Sequence, residues 1–168
     1  MAYRIAQGIQ VSIDGGTNWY KLSDHNRQPI DMSYEIIEKS DRMANGSMRK
    51  YVVAKKLKIT TSWDNLPSLN AHLVDNNTSG KGAAWMKAFY EANVFNPVLV
   101  KVIFSEETTP SNHSIPVDST YVDAFRNSGN SKSFFITGFS YDIQKRMMSS
   151  TYSSGIDYVN VKIDFTEI

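Results

Sequence analysis

Apolar and polar residues alternate along most of the chain, and this pattern predicts β-strands. The longest alternating segment runs from Tyr51 to Trp63, where one face is mainly apolar, carries Thr61 and is interrupted by Lys55. A period of two sustained over this length is typical of a half-buried strand. Four further segments alternate in the same way: residues 9–13, 32–36, 135–144 and 159–166. The nearly continuous apolar run 98–104 predicts a strand that is covered on both sides or meets a partner.

Only residues 82–93 favour a helix, because Ala, Met, Lys and Glu dominate this segment. Trp85 and Phe89 are four residues apart and therefore share one helix face, which we expect to pack into the sheet core. The predicted fold is a single domain covering residues 1–168. It is mainly β, an antiparallel β-sandwich or partly closed barrel with one flanking α-helix.

Two polar segments interrupt the strand pattern. Residues 39–50 are too hydrophilic to cover a core and turn at Asn45-Gly46, which predicts a projecting hairpin arm. Residues 105–132 are rich in Thr, Ser, Asn and Pro and predict a long loop. Flexible methionines and paired arginines suit a partner surface. We therefore expect contacts with neighbouring subunits from six arm residues: Arg42, Met43, Asn45, Gly46, Met48 and Arg49.

Composition and charge narrow the possible functions. Lys plus Arg is 18 and Asp plus Glu is 17, so the formal net charge is +1 and no global basic field exists to hold nucleic acid. With no cysteine, the chain has no disulfide framework and no thiol nucleophile. The three histidines lie apart, without metal-ligand spacing. We expect no catalytic site, no metal, no cofactor and no membrane-crossing segment.

Three sequence motifs occur in a fixed order before, within and after the predicted helix. The first comprises Arg42-Met43-Ala44-Asn45-Gly46-Ser47-Met48-Arg49 and, further along, Ser62-Trp63-Asp64-Asn65-Leu66-Pro67; the second is Phe89-Tyr90-Glu91-Ala92-Asn93; the third runs from Ile136 to Arg146 and is followed by Tyr158-Val159-Asn160-Val161. In this order around one helix, the chain resembles the tail tube (major tail) proteins of long-tailed bacteriophages, which are related in fold to the tube proteins of contractile secretion systems.

The resemblance implies a structural subunit of the virion tail, assembled in the host cytoplasm. Six copies would form a ring whose inner sheets join, and the rings would stack into a hollow tube. Such a tube encloses a tape-measure protein and then conducts DNA without binding it specifically. Sheath, terminator and baseplate proteins are further implied partners. A conduit for phosphates should not be basic inside, so we expect Lys56 and Lys58 to face away from the lumen or to be neutralised by carboxylates such as Glu35 and Glu38.

Two alternatives remain open at this point. The same motifs suit a tail terminator or a baseplate or tail-tip subunit. A different class is a carbohydrate-binding β-sandwich, for which Trp19 and Tyr20 would supply the aromatic platform.

Overall fold

The computed structural model describes residues 8–68, 81–103, 132–147 and 156–168. These residues form seven strands and one helix. The strands are β1 (Gly8–Ser12), β2 (Tyr20–Lys21), β3 (Asp31–Arg42), β4 (Met48–Pro67), β5 (Val98–Ile103), β6 (Lys132–Met147) and β7 (Ile156–Glu167), and the helix is α1 (Ala83–Asn93). The predicted loop at 105–132 lies outside the described residues, except that Lys132 begins β6.

All seven strands belong to one antiparallel sheet in the order β2-β1-β5-β6-β7-β4-β3. The mainly β fold with a single helix is confirmed for the described part of the chain. The sheet does not close into a barrel, because the strands at its two ends, β2 and β3, do not pair with each other.

The sheet has a long part and a short part. The long part is the four-stranded run β6-β7-β4-β3, and the short part is β2-β1-β5. In the described residues, β5 and β6 connect the two parts through a short ladder at Val98↔Phe134, Leu99↔Ser133 and Val100↔Lys132. Alternation on both parts brings their apolar side chains into a single buried cluster, which includes Ile9, Val11 and Val100 from the short part and Ile59, Trp63 and Ile163 from the long part.

Trp63 anchors the core at the point where β4 meets the loop before β3. Its side chain is fully buried, and its indole Nε1 donates a 2.6 Å hydrogen bond to the main-chain oxygen of Ser23. A buried indole needs such an acceptor, because an unpaired N–H in the core would cost free energy. The Trp63 side chain therefore ties β4 to the segment that follows β2.

Helix α1 buries Ala83, Met86 and Phe89. The structure places Phe89 in the core but Trp85 at its rim, where the indole is half-buried and stacks on Phe89 with ring centroids 5.2 Å apart. Met86, which is fully buried, occupies the central position that sequence reasoning assigned to Trp85. The helix is thus rotated so that its smaller side chains meet the sheet, while the large indole covers their edge and contacts Tyr20.

Candidate assembly surface

The long part of the sheet has one face turned away from the core, and this polar face carries mainly charged and hydroxyl side chains, although it also exposes Ile37 and Phe135. Side chains on a strand alternate between faces, so the positions between the buried residues of β4 and β7 lie here. The ladders place them side by side: Ser33 and Glu35 of β3, Lys58, Thr60 and Ser62 of β4, Lys162, Asp164 and Thr166 of β7, and Gly138, Ser140 and Asp142 of β6.

Carboxylates on the polar face sit within reach of its lysines. Lys58 Nζ lies 2.7 Å from Glu35 Oε2, and Lys162 Nζ lies 3.7 Å from Asp164 Oδ2. Asp164 Oδ1 also accepts a 2.7 Å hydrogen bond from the Thr60 hydroxyl. Pairs this exposed contribute little stability, but they leave the face close to electrically neutral.

A missing side chain makes room for the carboxylate of Asp164. A Cβ added to Gly138, the neighbour of Asp164 on β6, would stand 2.5 Å from Asp164 Oδ2 and 3.2 Å from its Cβ. No side chain larger than hydrogen fits there without displacing Asp164. The order of residues in β6 gives no hint of this packing, so sequence reasoning missed the role of Gly138.

The other charged residues singled out from the sequence lie elsewhere. Glu38 does not reach the polar face, because it is three residues from Glu35 and alternation places it on the opposite face, where its carboxylate pairs with Lys50 at 2.5 Å. Lys56 lies directly across from Glu35 in the ladder, and its Nζ donates to the main-chain oxygen of Ile168. Of the two carboxylates expected to neutralise Lys56 and Lys58, the structure brings only Glu35 to them.

The hairpin arm is longer than the sequence indicates. The ladder between β4 and β7 reaches only to Lys58, so residues 48–57 of β4 pair only with β3 among the described strands. We call residues 33–57 the arm, because nearly all of them are exposed. The arm is less polar than its tip suggests, since it exposes six large apolar side chains besides its methionines: Tyr34, Ile36, Ile37, Tyr51, Val52 and Val53.

The six predicted contact residues cluster at the arm tip. Asn45 Oδ1 accepts hydrogen bonds from the main-chain N–H and the hydroxyl of Ser47, at 3.0 and 2.7 Å, while Gly46 takes a φ of 81° that favours glycine. This turn leaves Met43 and Met48 exposed on either side of it. Within the described part of the chain, neither Arg42 nor Arg49 forms an ion pair, so both guanidinium groups are available to a partner.

The base of the arm is held by Glu167, a residue that sequence reasoning did not select. Its carboxylate accepts a 2.8 Å hydrogen bond from the Leu57 N–H, which lies one residue beyond the end of the β4–β7 ladder, and pairs with Lys132 Nζ at 2.9 Å. Burial opposes ionisation of Glu167, but the hydrogen bonds from Lys132 and Leu57 and the nearby charges of Lys132 and Lys56 outweigh it and lower its pKa.

The long part of the sheet ends in two strands with open edges. The outer edge of β3 has no partner among the described strands, and neither does β6 beyond Phe134 on the side away from β7. Natural proteins normally shorten, twist or cover such edges, because unpaired N–H and C=O groups recruit other strands. These two edges, open among the described strands, are therefore candidate surfaces for pairing with another strand.

The aromatic residues considered for carbohydrate binding are partly covered. Lys101 Nζ lies 4.1 Å from the centroid of the Trp19 ring, and Tyr20 packs against Trp85 with centroids 5.4 Å apart. The described residues contain no cluster of three or more His, Asp or Glu side chains able to hold a metal ion. His25 lies in a loop, whereas His72 and His113 fall outside the described residues. No helix in the described ranges is both long and apolar enough to cross a membrane.

No protein-family model and no curated protein matches the sequence. Among solved structures, the chain is similar to one described as "Tail of empty GTA particle computed with helical refinement, C6 symmetry", with 8% sequence identity and a TM-score of 0.46, over 96% of this chain and 90% of that one. A similarity at this level says nothing about function, which has to be inferred from this chain's own surfaces and motifs.

Proposed function

We propose that the chain is a structural subunit of a bacteriophage tail tube, in which copies join side by side into rings and the rings stack into a hollow conduit. The observation that carries this proposal is the pair of open edges at opposite ends of a four-stranded sheet whose outer face is polar and close to neutral. The number of six copies in a ring comes from the tail tube resemblance of the sequence motifs.

The strand directions fit ring closure. Because β6, β7, β4 and β3 alternate in direction, β3 runs opposite to β6. Rotation about a ring axis preserves the direction of each strand, so β3 of one copy would meet β6 of the next in antiparallel orientation. Both can then exchange main-chain hydrogen bonds as in an ordinary antiparallel ladder.

The offset of the two edges also fits. β3 and the arm extend past the end of β7 in one direction, whereas β6 beyond Phe134 extends past β5 in the other. A sheet that closes into a barrel needs tilted strands and a constant stagger from strand to strand. A subunit with oppositely placed overhangs supplies such a stagger at each junction.

The polar face suits the inner wall of the conduit. A wall rich in unpaired lysines would hold DNA phosphates and slow their passage. Here Glu35 pairs with Lys58 and Asp164 lies near Lys162, so the wall would present paired charges and hydroxyl groups. In this role the protein is not an enzyme, and its partners are further copies of itself, a tape-measure protein and the proteins that cap or surround the tube.

A terminator or baseplate subunit is the second candidate, since it too would use the open edges to form a ring. It would differ in stopping at one ring, with no arm-mediated stacking. A carbohydrate-binding role gains no support, because Lys101 and Trp85 cover faces of the Trp19 and Tyr20 rings.

Negative-stain microscopy of the purified protein tests the proposal. We expect tubes from the wild-type chain, single rings if it is a terminator, and monomers if the proposal is wrong. A variant in which residues 41–49 are replaced by a tight turn should fold, as judged by circular dichroism, but fail to stack. The control is Ala88→Ser, at an exposed position of α1 away from the arm, which should leave stacking unchanged. Normal tubes from the shortened variant would show that the arm tip is not the stacking element.

A further inference from the structure

Exposed apolar side chains lie on the same side of the sheet at both open edges. At the β3 edge they are Tyr34 and Ile36, which are 55% and 46% exposed. At the β6 edge they are Tyr141 and Ile143, which are 46% and 61% exposed. Large apolar residues this exposed are uncommon in pairs at both ends of one surface, and together they mark an interaction site.

The ladders fix the side on which these four residues lie. Tyr34 is directly opposite Leu57, and Tyr141 and Ile143 are opposite Val161 and Val159. Leu57, Val159 and Val161 are all buried in the core. Directly opposed residues share a face of the sheet, so Tyr34, Ile36, Tyr141 and Ile143 continue the core side outward at its two margins.

We propose that these residues form an apolar seam between two copies of the chain, with Tyr34 and Ile36 of one copy packed against Tyr141 and Ile143 of the next. This inference rests on the proposed edge-to-edge assembly and specifies which side chains stabilise it. A second copy is the occupant that fits, because it offers an antiparallel open edge and a matching apolar pair on the same face. Lys55, whose Nζ lies 3.9 Å from the centroid of the Tyr34 ring, would cover the seam from outside.

The seam would explain why the residues at the margins of the sheet are more apolar on the core side than on the polar face. On the polar face the positions that flank Tyr34 and Tyr141 are Ser33 and Glu35 at one margin and Ser140 and Asp142 at the other, while Ile37 and Phe135 are exposed apolar residues further along the same strands. A junction between copies would thus be apolar on the core side and mainly polar on the side proposed to line the conduit. Burial of the apolar margin would supply most of the association free energy, while the polar margin stays in water.

Cysteine cross-linking tests the seam directly, because the chain has no cysteine of its own. One variant carries Tyr34→Cys or Ile36→Cys together with Tyr141→Cys or Ile143→Cys, which gives four double variants. Residues opposite each other in a ladder are close enough for a disulfide. At least one double variant should oxidise to a ladder of linked chains, and the pair that links best reports the register. The control pair is Ile37→Cys with Tyr141→Cys, since Ile37 lies on the opposite face and should not link.

The pattern of linked species separates the possible outcomes. A ladder extending beyond dimers supports the seam, whether or not the product is a tube. Dimers formed by a single Tyr34→Cys or Ile36→Cys variant would mean that β3 pairs with β3, which overturns the seam. Tubes without cross-links in any of the four variants would leave the proposed function standing and refute the seam. Monomers without cross-links would refute both.

A second comparison uses two neighbouring isoleucines of nearly equal exposure. Ile36→Lys places a charge in the seam, whereas Ile37→Lys places it on the opposite face, and the two wild-type side chains are 46% and 49% exposed. A charge buried without a partner is costly. We expect Ile36→Lys to raise the protein concentration needed for assembly about tenfold or more, and Ile37→Lys to change it by less than about threefold. Equal effects of the two substitutions would overturn the seam.

Discussion

The orientation of helix α1 makes a sharp prediction, because three large side chains on it differ in burial. Phe89 is 5% exposed and Met86 is fully buried, whereas Trp85 is half-buried at the rim of the core. Replacing a buried Phe by Ala typically costs about 3–5 kcal/mol, and replacing a buried Met about 2–5 kcal/mol. A partly exposed indole at the rim, which buries less of its surface than a core residue, should cost less, about 2–3 kcal/mol.

We therefore expect Phe89→Ala and Met86→Ala to destabilise the subunit more than Trp85→Ala. The measurement is urea-induced unfolding followed by far-UV circular dichroism, at a protein concentration where sedimentation shows monomers, since assembly would add to the apparent stability. Ala88→Ser, at an exposed position of the same helix, is the control and should cost no more than about 0.5 kcal/mol. If Trp85→Ala proved the most damaging of the three, the helix would be rotated from the orientation described.

Three further predictions concern the sheet. Thr61 is buried, and its hydroxyl has no hydrogen-bond partner among the described residues. Thr61→Val should therefore raise the free energy of unfolding by about 1 kcal/mol in the same urea experiment. A loss of stability would show that the hydroxyl is hydrogen-bonded after all. Gly138→Ala should lower the free energy of unfolding by about 1–2 kcal/mol, because the added methyl group displaces Asp164. Ser140→Ala on the same face is the control and should have little effect. Three carboxyl groups have a lowered pKa in the folded chain. Hydrogen bonds from Asn18 and Ser12 lower the pKa of Asp14 to about 2, and a hydrogen bond from Arg146 lowers the pKa of Asp157. The pKa of Glu167 is lowered as well. Stability from groups with depressed pKa values is complete above their unfolded-state pKa near 4 and is lost as pH falls, so the urea midpoint should drop between about pH 4 and pH 2, and less steeply in Asp14→Asn.

Much of the fold could be predicted from local patterns. The alternation from Tyr51 to Trp63 places Leu57, Ile59, Thr61 and Trp63 on the buried face, as observed. The helix at 82–93 agrees with α1 to within one residue. These features depend on neighbours a few positions apart, which is the information that periodicity carries.

Features that depend on distant residues could not be predicted in this way. Trp85 and Phe89 share a helix face, but the angle at which that face meets the sheet depends on the volumes of residues contributed by other strands. The β-bulge at Ile37/Glu38 leaves Val53 of β4 out of the ladder, so Tyr51, which alternation alone places on the face of Leu57, lies opposite Lys39 on the polar face. The Glu167 carboxylate accepts a hydrogen bond from the Leu57 N–H, although the two residues are 110 positions apart in sequence. Local periodicity carries no information about contacts at such a separation.

In the proposed tube, copies of the chain join edge to edge, with the polar face turned towards the tube axis. A density map of the assembled particle, at a resolution that separates strands, tests it most directly. We predict that β3 of each copy lies beside β6 of the next, and that Glu35, Lys58 and Asp164 line the axial channel. A map in which these residues face outward, or in which β3 pairs with something other than β6, would contradict the account.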